Sequence, residues 1–229
     1  MLKDLGLRRC AYDWRQEHVA SFEEEILAYR KHGIEYFAFW GSHDEAYRLF
    51  RKHDLHPQVW KTLASPAEAP RQDMIGAAAR SMEAMAKRAA ELGCKLGVYN
   101  HGGWGGEPRN LVAVCRRLHA KGHKNVGIVY NWHHGHGHID DWAESLKIMK
   151  PYLLCLNLNG MNKNAKPKIL ALGKGEHDRA MLKALMASGY DGPIGILDHQ
   201  AGLDSKVALQ ANLDGLKALM IMPDSKPDL

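Results

Sequence analysis

The sequence predicts an α/β barrel in which each parallel strand is followed by a helix. Short apolar or aromatic runs alternate with amphipathic stretches along all 229 residues, and polar or aromatic residues follow nearly every run. The length also suits one barrel of up to about 250 residues. A doubly wound sheet would instead concentrate such residues at one switch point. Only seven strands can be identified, so the predicted barrel is seven-stranded or incompletely closed.

The first half of the chain carries four of the predicted strands. Ser21 and Glu24 have the spacing of a capping box before the first helix, and Gly33 is typical of the residue that ends it. The strands are predicted over 7–14, 34–40, 57–63 and 95–100. The helices between them are predicted over 22–31, 44–53 and 71–92.

The second half continues the same alternation with three more strands. Pro108 is a favoured first helical residue and predicts the start of the next helix. The strands are predicted over 125–131, 152–158 and 193–198, and the later helices over about 140–149, 178–188 and 205–220. In the loop before the helix at 178, Asp178 is expected to cap that helix. Residues 1–222 are therefore predicted to form one domain, with 223–229 as a frayed tail.

The composition excludes several classes of protein. Hydrophobic residues make up 45% and charged residues 25%, which is the ordinary mixture of a globular protein. No apolar run is long enough to cross a membrane. The net charge is +5, but the basic residues are scattered, so a nucleic-acid partner is not favoured.

The spacing of the four cysteines indicates the cellular compartment in which the protein is expected. They are far apart and form no C-x-x-C pair, which is typical of separate reduced thiols rather than a disulfide framework or a zinc site. The first residues also lack the apolar stretch of a signal peptide. The expected location is therefore the cytoplasm.

Five of the six tryptophans lie at or just after one of the first five predicted strands. Indole faces stack on the C–H-rich faces of sugar rings, so five at equivalent positions indicate a carbohydrate pocket. The alternative is that they fill the barrel or cover a subunit interface. These residues are Trp14, Trp40, Trp60, Trp104 and Trp132.

A second cluster follows the fifth strand, where residues 133–138 contain four histidines. Neutral imidazole is a common metal ligand and a proton shuttle near neutral pH, and the intervening glycines allow several rings to meet. The alternative is a merely polar loop. Further polar residues at strand ends are Arg15, Lys61, Asn100, His101, Asn131, Asn157, Asn159, Asp198 and His199.

Four motifs carry a resemblance to a known family: Tyr99-Asn100-His101-Gly102-Gly103, Tyr130-Asn131-Trp132-His133-His134, Gly173-Lys174-Gly175-Glu176-His177-Asp178 and Gly195-Ile196-Leu197-Asp198-His199. With them the chain resembles the xylose isomerase-like TIM-barrel superfamily of sugar isomerases, epimerases and endonuclease IV. The resemblance implies a TIM-type barrel with a divalent metal held by acids and a histidine. In that family the metal polarises a sugar carbonyl and hydroxyl while acids or bases move a proton.

The chain departs from the family pattern at the metal-binding positions. Tyr99 stands where the family has Glu, Asn131 replaces Asp and Asn157 falls where His is usual. Asp198 is expected to stand in for the last Glu. Loss of carboxylates weakens Mg²⁺ or Mn²⁺ binding, because these ions prefer charged oxygen ligands.

Two outcomes for the metal follow from this departure. A set of His101, His134, His136 and Asp198 would hold a softer ion such as Zn²⁺ or Ni²⁺; otherwise the metal is lost. The identity of the ion among Zn, Mn, Ni and Mg stays open. No nucleotide cofactor is expected, because the phosphate-binding glycine motifs are missing.

The sequence therefore predicts an isomerase or epimerase that abstracts a proton next to a carbonyl of a sugar or keto-sugar, or a lyase that acts on a keto-glycoside by the same step. The candidate catalytic residues are Lys61, His133, His134 and Asp198. The candidate substrate-binding residues are Trp14, Arg15, Trp40, Trp60, Asn100, Trp104, Asn131, Trp132, Asn157, Asn159 and His199. The expected partner is a small carbohydrate, with no membrane, and a homo-oligomer is left open. The alternative is a non-catalytic carbohydrate-binding barrel with a degenerate metal site.

Overall fold

The computed structural model describes residues 1–13, 16–197, 200 and 202–221. Four predicted site residues lie outside this range, as does the predicted tail over 223–229. These residues are Trp14, Arg15, Asp198 and His199. The contacts divide the chain into two compact units: Met1–Val129 with Tyr152–Leu154 form the first, and Tyr130–Pro151 with the chain from Cys155 onward form the second.

The strands follow one another in a single sheet in chain order, β1-β2-β3-β4-β5-β6-β7, and the described pairings are parallel. They are β1 Arg9–Asp13, β2 Glu35–Trp40, β3 Gln58–Thr62, β4 Leu96–Tyr99, β5 Val126–Asn131, β6 Leu153–Leu158 and β7 Ile194–Ile196. The predicted parallel α/β architecture with seven strands is confirmed for the described part of the chain.

The α-helices alternate with the strands as predicted. They are α1 Phe22–Lys31, α2 Asp44–His53, α3 Met74–Glu91, α4 Pro108–Ala120, α5 Trp142–Met149, α6 Asp178–Ala187 and α7 Ser205–Ile221. Their bounds agree with the predicted ranges to within a few residues, because each carries a clear apolar stripe between turn residues. No helix in the described ranges has the length and apolar character needed to cross a membrane.

The predicted capping box at α1 is wrong. A 3₁₀ helix, Gln16–Ser21, leads directly into α1. The backbone of Ser21 is therefore already helical, with φ −102° and ψ −3°, and its side chain makes no cap. Its hydroxyl instead donates to the carbonyl oxygen of His18 at 3.2 Å.

Side chains fill the inner face of the first unit. Trp60 Nε1 donates to Gln58 Oε1 at 2.9 Å, and Gln58 Nε2 donates to the carbonyl oxygen of Leu154 at 3.1 Å. Gly97 on the neighbouring strand makes room for the indole, since a Cβ there would lie 2.8 Å from Trp60 and 2.5 Å from Val129. A glycine inside a strand commonly marks such a close approach.

The second unit packs α5 and α6 around buried aromatic rings. Trp142 on α5 donates from Nε1 to the carbonyl oxygen of Met181 on α6 at 3.0 Å. The ring of Tyr130 stacks on Trp142 with centroids 5.7 Å apart. The buried indole thus fills the space between two helices while its polar N–H remains hydrogen-bonded.

All four cysteines are free thiols, in agreement with the absence of C-x-x-C pairs. Cys94, Cys115 and Cys155 are buried, whereas Cys10 is partly exposed. Burial raises the pKa of Cys94 and Cys115 to about 12. These thiols therefore behave as small core side chains rather than as nucleophiles.

Candidate functional site

Aromatic rings gather at the carboxyl ends of β2, β3 and β4 in the first unit. The centroids of Trp40 and Trp60 lie 6.3 Å apart. The ring of Tyr99 lies 4.0 Å from Trp40 and 5.9 Å from Trp60. Tyr99, at the position where the family has Glu, therefore adds an aromatic side chain to this cluster instead of a metal ligand.

The four described strand-end tryptophans differ in exposure, and exposure decides which can stack on a sugar. Trp60 is 5% exposed and Trp132 is 0% exposed, whereas Trp40 and Trp104 are half-buried. Trp132 packs edge-on against Trp142 at 5.6 Å. Because stacking needs an accessible indole face, Trp60 and Trp132 serve the interior, and Trp40 and Trp104 are the better placed for a ligand.

The polar residues at the ends of β3 and β4 are dispersed. Lys61 is exposed, and strand alternation places it on the face opposite to Gln58 and Trp60. Asn100 is fully buried, and its backbone N–H donates to the carbonyl oxygen of Val129 at 3.3 Å. His101 is exposed. Among the described polar candidates of the first unit, Asn100 is buried, whereas Lys61 and His101 are exposed.

Asn131 ends β5 and organises the histidine loop in the second unit. Its Oδ1 accepts the backbone N–H of His133 at 3.0 Å and so caps the 3₁₀ turn Trp132–His134. His133 is only 8% exposed, and its ring meets that of His134 edge-on with centroids 4.8 Å apart. The amide oxygen of Asn131 is thus already used for the local turn.

His136 has one ring nitrogen fixed and the other available. Nδ1 lies 2.8 Å from the carbonyl oxygen of Asn162. A carbonyl oxygen only accepts, so Nδ1 carries a proton, and in the neutral form of the ring the lone pair is then on Nε2. Nε2 is buried and has no hydrogen-bond partner among the described residues. A neutral imidazole in this tautomer can act as a general base or as a metal ligand.

Asn157 and Asn159 at the end of β6 are buried, at 4% and 3% exposure. Asn159 Nδ2 donates to the carbonyl oxygen of Gly160 at 2.9 Å, and Cys155 Sγ lies 3.6 Å from Asn157 Oδ1. The other two amide atoms, Nδ2 of Asn157 and Oδ1 of Asn159, are buried without a partner in the described structure. One unfilled donor and one unfilled acceptor therefore lie two residues apart.

Asp178 fixes the loops that follow β6. It is fully buried and accepts the backbone N–H groups of Met161, Gly173 and Gly175 at 2.5, 2.6 and 3.0 Å. Burial raises the pKa of this carboxyl, whereas the hydrogen bonds from the three backbone N–H groups lower it. The prediction that Asp178 caps its own helix is wrong, because its oxygens join two loops instead.

The sequence patterns did not lead us to three residues that contribute to this site. Cys155 precedes Asn157 by two residues, so strand alternation would have placed both on one face. Gly195 pairs with Asn157, and a Cβ there would lie 2.2 Å from Asn157 Oδ1; a glycine within a strand was an available signal. Asn162 carried no such signal, because it acts on His136 through its backbone carbonyl.

The described strand-end residues do not fit the oxygen-rich metal site of the family. The described residues include no group of three or more His, Cys, Asp or Glu side chains that could hold a metal ion. Asn131 and Asn157 offer only neutral amide oxygens, and the oxygen of Asn131 accepts a backbone N–H. Mg²⁺ and Mn²⁺ prefer carboxylates. The alternative set of His101, His134, His136 and Asp198 stays a prediction, because Asp198 lies outside the described ranges.

Comparison with known proteins decides the family. The family model described as xylose isomerase-like TIM barrel matches residues 11–219. The chain belongs to this xylose isomerase-like TIM-barrel family. The resemblance seen in the four motifs is confirmed, and the described part of the chain contributes seven strands to the sheet.

Solved structures with the same fold include sugar epimerases. The chain is similar to 3-keto-D-glucoside 4-epimerase YcjR from E. coli, with 16% identity, a TM-score of 0.67 and coverage of 96% of this chain and 91% of that chain. It is similar to a D-psicose 3-epimerase determined in the presence of D-fructose, with 14% identity, a TM-score of 0.67 and coverage of 94% and 89%.

The IolI protein, determined with a zinc atom, gives 12% identity, a TM-score of 0.75 and coverage of 95% of this chain and 90% of that chain. A search of curated protein sequences gives no match. At these identities the structural likeness establishes the barrel fold, whereas the chemistry depends on the residues of the site itself.

Proposed function

We propose that this xylose isomerase-like barrel is an enzyme that moves a proton on the carbon next to a carbonyl of a sugar or keto-sugar. The observation that carries the proposal is the tautomer of His136. Its protonated Nδ1 is held by Asn162, and its buried Nε2 has no partner in the described structure. Proton abstraction requires such a positioned lone pair in a site that excludes water.

The buried amides of Asn157 and Asn159 are the second component of the site. They lie close in the chain to Asn162, the residue that holds the ring of His136. Asn159 begins the loop that reaches Asn162, so the base and the buried amides belong to one part of the second unit. Seven buried polar side-chain atoms of the described residues have no partner, and four belong to Trp132, His136, Asn157 and Asn159. Because such atoms are costly when unpaired, each of these four is a candidate contact for a polar ligand.

The proposed reaction begins when the base takes the proton from the carbon beside the carbonyl. The C–H electron pair forms a carbon–carbon double bond, and negative charge develops on the carbonyl oxygen. Isomerisation follows when a proton returns to the former carbonyl carbon, while the hydroxyl on the deprotonated carbon gives up its proton to the former carbonyl oxygen and becomes the new carbonyl. Epimerisation follows when a proton returns to the original carbon from its opposite face. For a keto-glycoside, the enolate instead re-forms the carbonyl, a double bond forms to the next carbon, and the glycosidic oxygen on that carbon leaves with its bonding electrons and takes the proton from the protonated base. N–H donors aimed at the oxygen would stabilise the charge.

The remaining candidates take different places in this proposal. His133, His134 and Asp198 are further acids or bases for returning the proton. Lys61 takes no part, because it is exposed on the other face of β3. Trp40 and Trp104 are proposed to stack on the sugar, with Trp14, Arg15 and His199 as further contacts. The epimerases among the solved structures act on sugars by their names, which supports the substrate class.

No step of the proposed reaction passes through a metal, because the described strand-end residues do not fit one. The predicted set of His101, His134, His136 and Asp198 remains a testable alternative. It would use Nε2 of His136 as a ligand rather than as a base, and neutral imidazole suits Zn²⁺ or Ni²⁺.

Deuterium exchange tests the proposed step without knowledge of the product. The protein is incubated in D₂O with a panel of ketohexoses and 3-keto-glucosides, and NMR measures deuterium at the carbon beside the carbonyl. At least one keto-sugar is expected to exchange, while D-mannitol, which has no carbonyl, does not. Parallel samples with EDTA are expected to exchange at the same rate. Loss of exchange that Zn²⁺ restores would favour the histidine and Asp198 ligand set.

The same samples separate the enzyme from the non-catalytic carbohydrate-binding barrel. A binding protein would change its tryptophan fluorescence on addition of a sugar but would leave the label unchanged at every metal concentration. Such a result would refute the proposed catalytic function while retaining the carbohydrate ligand.

A further inference from the structure

We propose that Asn157 and Asn159 form a donor–acceptor pair that binds the hydroxy-ketone unit of the substrate. Nδ2 of Asn157 donates to the carbonyl oxygen, and Oδ1 of Asn159 accepts the hydrogen of the adjacent hydroxyl. This inference rests on the proposed function and identifies the feature of the substrate that the site recognises.

The two unfilled atoms have opposite hydrogen-bonding character. Both belong to side chains that are at least 96% buried, and neither finds a partner in the described structure. A buried polar group left unpaired costs about 1–3 kcal/mol. A ligand that offers an acceptor beside a donor would satisfy both atoms, and a ketone beside a hydroxyl is such a pair.

Neighbouring contacts fix the orientation of Asn159. Its Nδ2 donates to the carbonyl oxygen of Gly160 and also approaches Met161 Sδ at 3.7 Å. A flipped amide would place Oδ1 against a carbonyl oxygen, so the two acceptors would repel. The oxygen of Asn159 is therefore the atom left for the ligand.

Two neighbours face the amide oxygen of Asn157, namely Cys155 on the same strand and Gly195 on β7. Cys155 Sγ lies 3.6 Å from Oδ1, where a thiol donates weakly. The missing Cβ of Gly195 leaves space beside the same oxygen. With Oδ1 turned toward Cys155 and Gly195, Nδ2 is the atom that remains for the substrate. Cys155 and Gly195 are thus positioning residues for Asn157.

The two unfilled atoms belong to residues that are close in the chain. Asn157 lies in β6 and Asn159 directly follows the strand, so their Cα atoms are at most about 7 Å apart. A ketone beside a hydroxyl carries its two oxygens on adjacent carbons, which suits two nearby side chains that each make a hydrogen bond of about 2.9 Å.

The chemistry also gives Asn157 a role during the reaction. As the α-proton leaves, charge develops on the carbonyl oxygen and strengthens the bond from Nδ2. A carboxylate without a metal would repel that oxygen. An amide at the end of β6 therefore provides the electrophile that the metal provides in the family pattern. Asn157 is the catalytic donor and Asn159 the residue that selects the hydroxyl.

The test uses the intact protein and D-fructose as the probe. Asn157→Asp keeps the size of the side chain but removes its N–H donors, and Asn157→Ala removes the whole amide. Asn159→Leu and Asn159→Ala remove the acceptor. Asn164→Gly is the matched control, because Asn164 is exposed and has a φ of +59° that glycine adopts readily. D-fructose binding is titrated by NMR, deuterium exchange is measured in D₂O, and circular dichroism checks the fold.

Substitutions at Asn157 are expected to lower mainly the exchange rate, and substitutions at Asn159 are expected to lower mainly the affinity for D-fructose. Removal of the Asn157 donor should slow exchange about 100-fold or more, as for an oxyanion-hole donor, with a smaller effect on the dissociation constant of D-fructose. Removal of the Asn159 acceptor should weaken D-fructose binding about tenfold, the effect of one hydrogen bond. Asn164→Gly should match the wild type in both.

Folded variants at Asn157 and Asn159 that bind D-fructose as tightly as the wild type, with unchanged exchange, would overturn the inference. If the wild type binds D-fructose without exchange and Asn159→Leu weakens that binding, the proposed catalysis fails while the recognition pair stands. If exchange occurs but responds to neither position, the catalysis stands and the pair is structural.

Discussion

Nδ1 of His136 lies 2.8 Å from the carbonyl oxygen of Asn162, and this contact decides which ring nitrogen is available for chemistry. The carbonyl requires a donor, so Nδ1 carries a proton, and the neutral form of the ring therefore has its lone pair on Nε2. Two loops are thereby joined, one after β5 and one after β6. The buried Nε2 has no partner in the described part of the chain, which makes this ring the most direct candidate for the proposed base.

Substitution of His136 by Asn should abolish most proton abstraction. The amide nitrogen of Asn can replace Nδ1 in the bond to Asn162, while nothing replaces Nε2. Deuterium exchange is expected to fall by about 10²–10⁴, the usual contribution of a general base. His138→Asn is the control, since His138 lies in the same loop and pairs with Asp141. An unchanged exchange rate in folded His136→Asn would remove His136 from the mechanism.

Gly195→Ala should disturb the site more than the fold. Its Cβ would lie 2.2 Å from Asn157 Oδ1, so the amide must rotate or shift. We expect slower exchange and a modest loss of stability of about 1–3 kcal/mol, the usual cost of overpacking. Gly106→Ala is the control, because its nearest neighbours would be 3.9 Å away. Exchange rates and urea unfolding measure the two effects, and equal exchange in both variants would contradict the proposed placement of Asn157.

Asp178→Asn should destabilise the loops after β6. The change turns one oxygen, an acceptor of backbone N–H groups, into a donor that faces them. The expected loss is about 2–3 kcal/mol, because hydrogen bonds to a charged group contribute about 1.5–3 kcal/mol. The free energy of urea unfolding measures it. Asp214→Asn is the control, since Asp214 is exposed, and a similar effect of both changes would show that Asp178 has no special structural role.

Alanine variants of Trp132 and Trp40 should distinguish a tryptophan that packs the interior from one that binds the ligand. Trp132 is fully buried, so Trp132→Ala should cost about 3–5 kcal/mol of stability. Trp40 is half-buried, so Trp40→Ala should lose less stability but weaken binding of D-fructose. Urea unfolding and NMR titration check these outcomes. A Trp40→Ala variant with unchanged affinity would show that Trp40 serves only the aromatic cluster with Tyr99.

The sequence by itself determined the order of the elements and most of their bounds. Helix α2 occupies Asp44–His53, which is the predicted range, and α4 begins at Pro108 as the preference of proline for the first helical turn predicts. These features depend on residues within a few positions of one another, so local patterns are sufficient. The four family motifs could also be recognised from the sequence, because each one is a run of consecutive residues.

Only the tertiary structure decided what the individual side chains do. Trp40 and Trp60 occupy similar sequence contexts, yet one is half-buried and the other nearly fully buried. Asp178 matches a helix-capping residue by its position, but its oxygens bind backbone from residues 161, 173 and 175. The tautomer of His136 depends on a carbonyl 26 residues away. Burial and hydrogen-bond partners are set by chain segments that meet only in the folded state, so no local pattern encodes them.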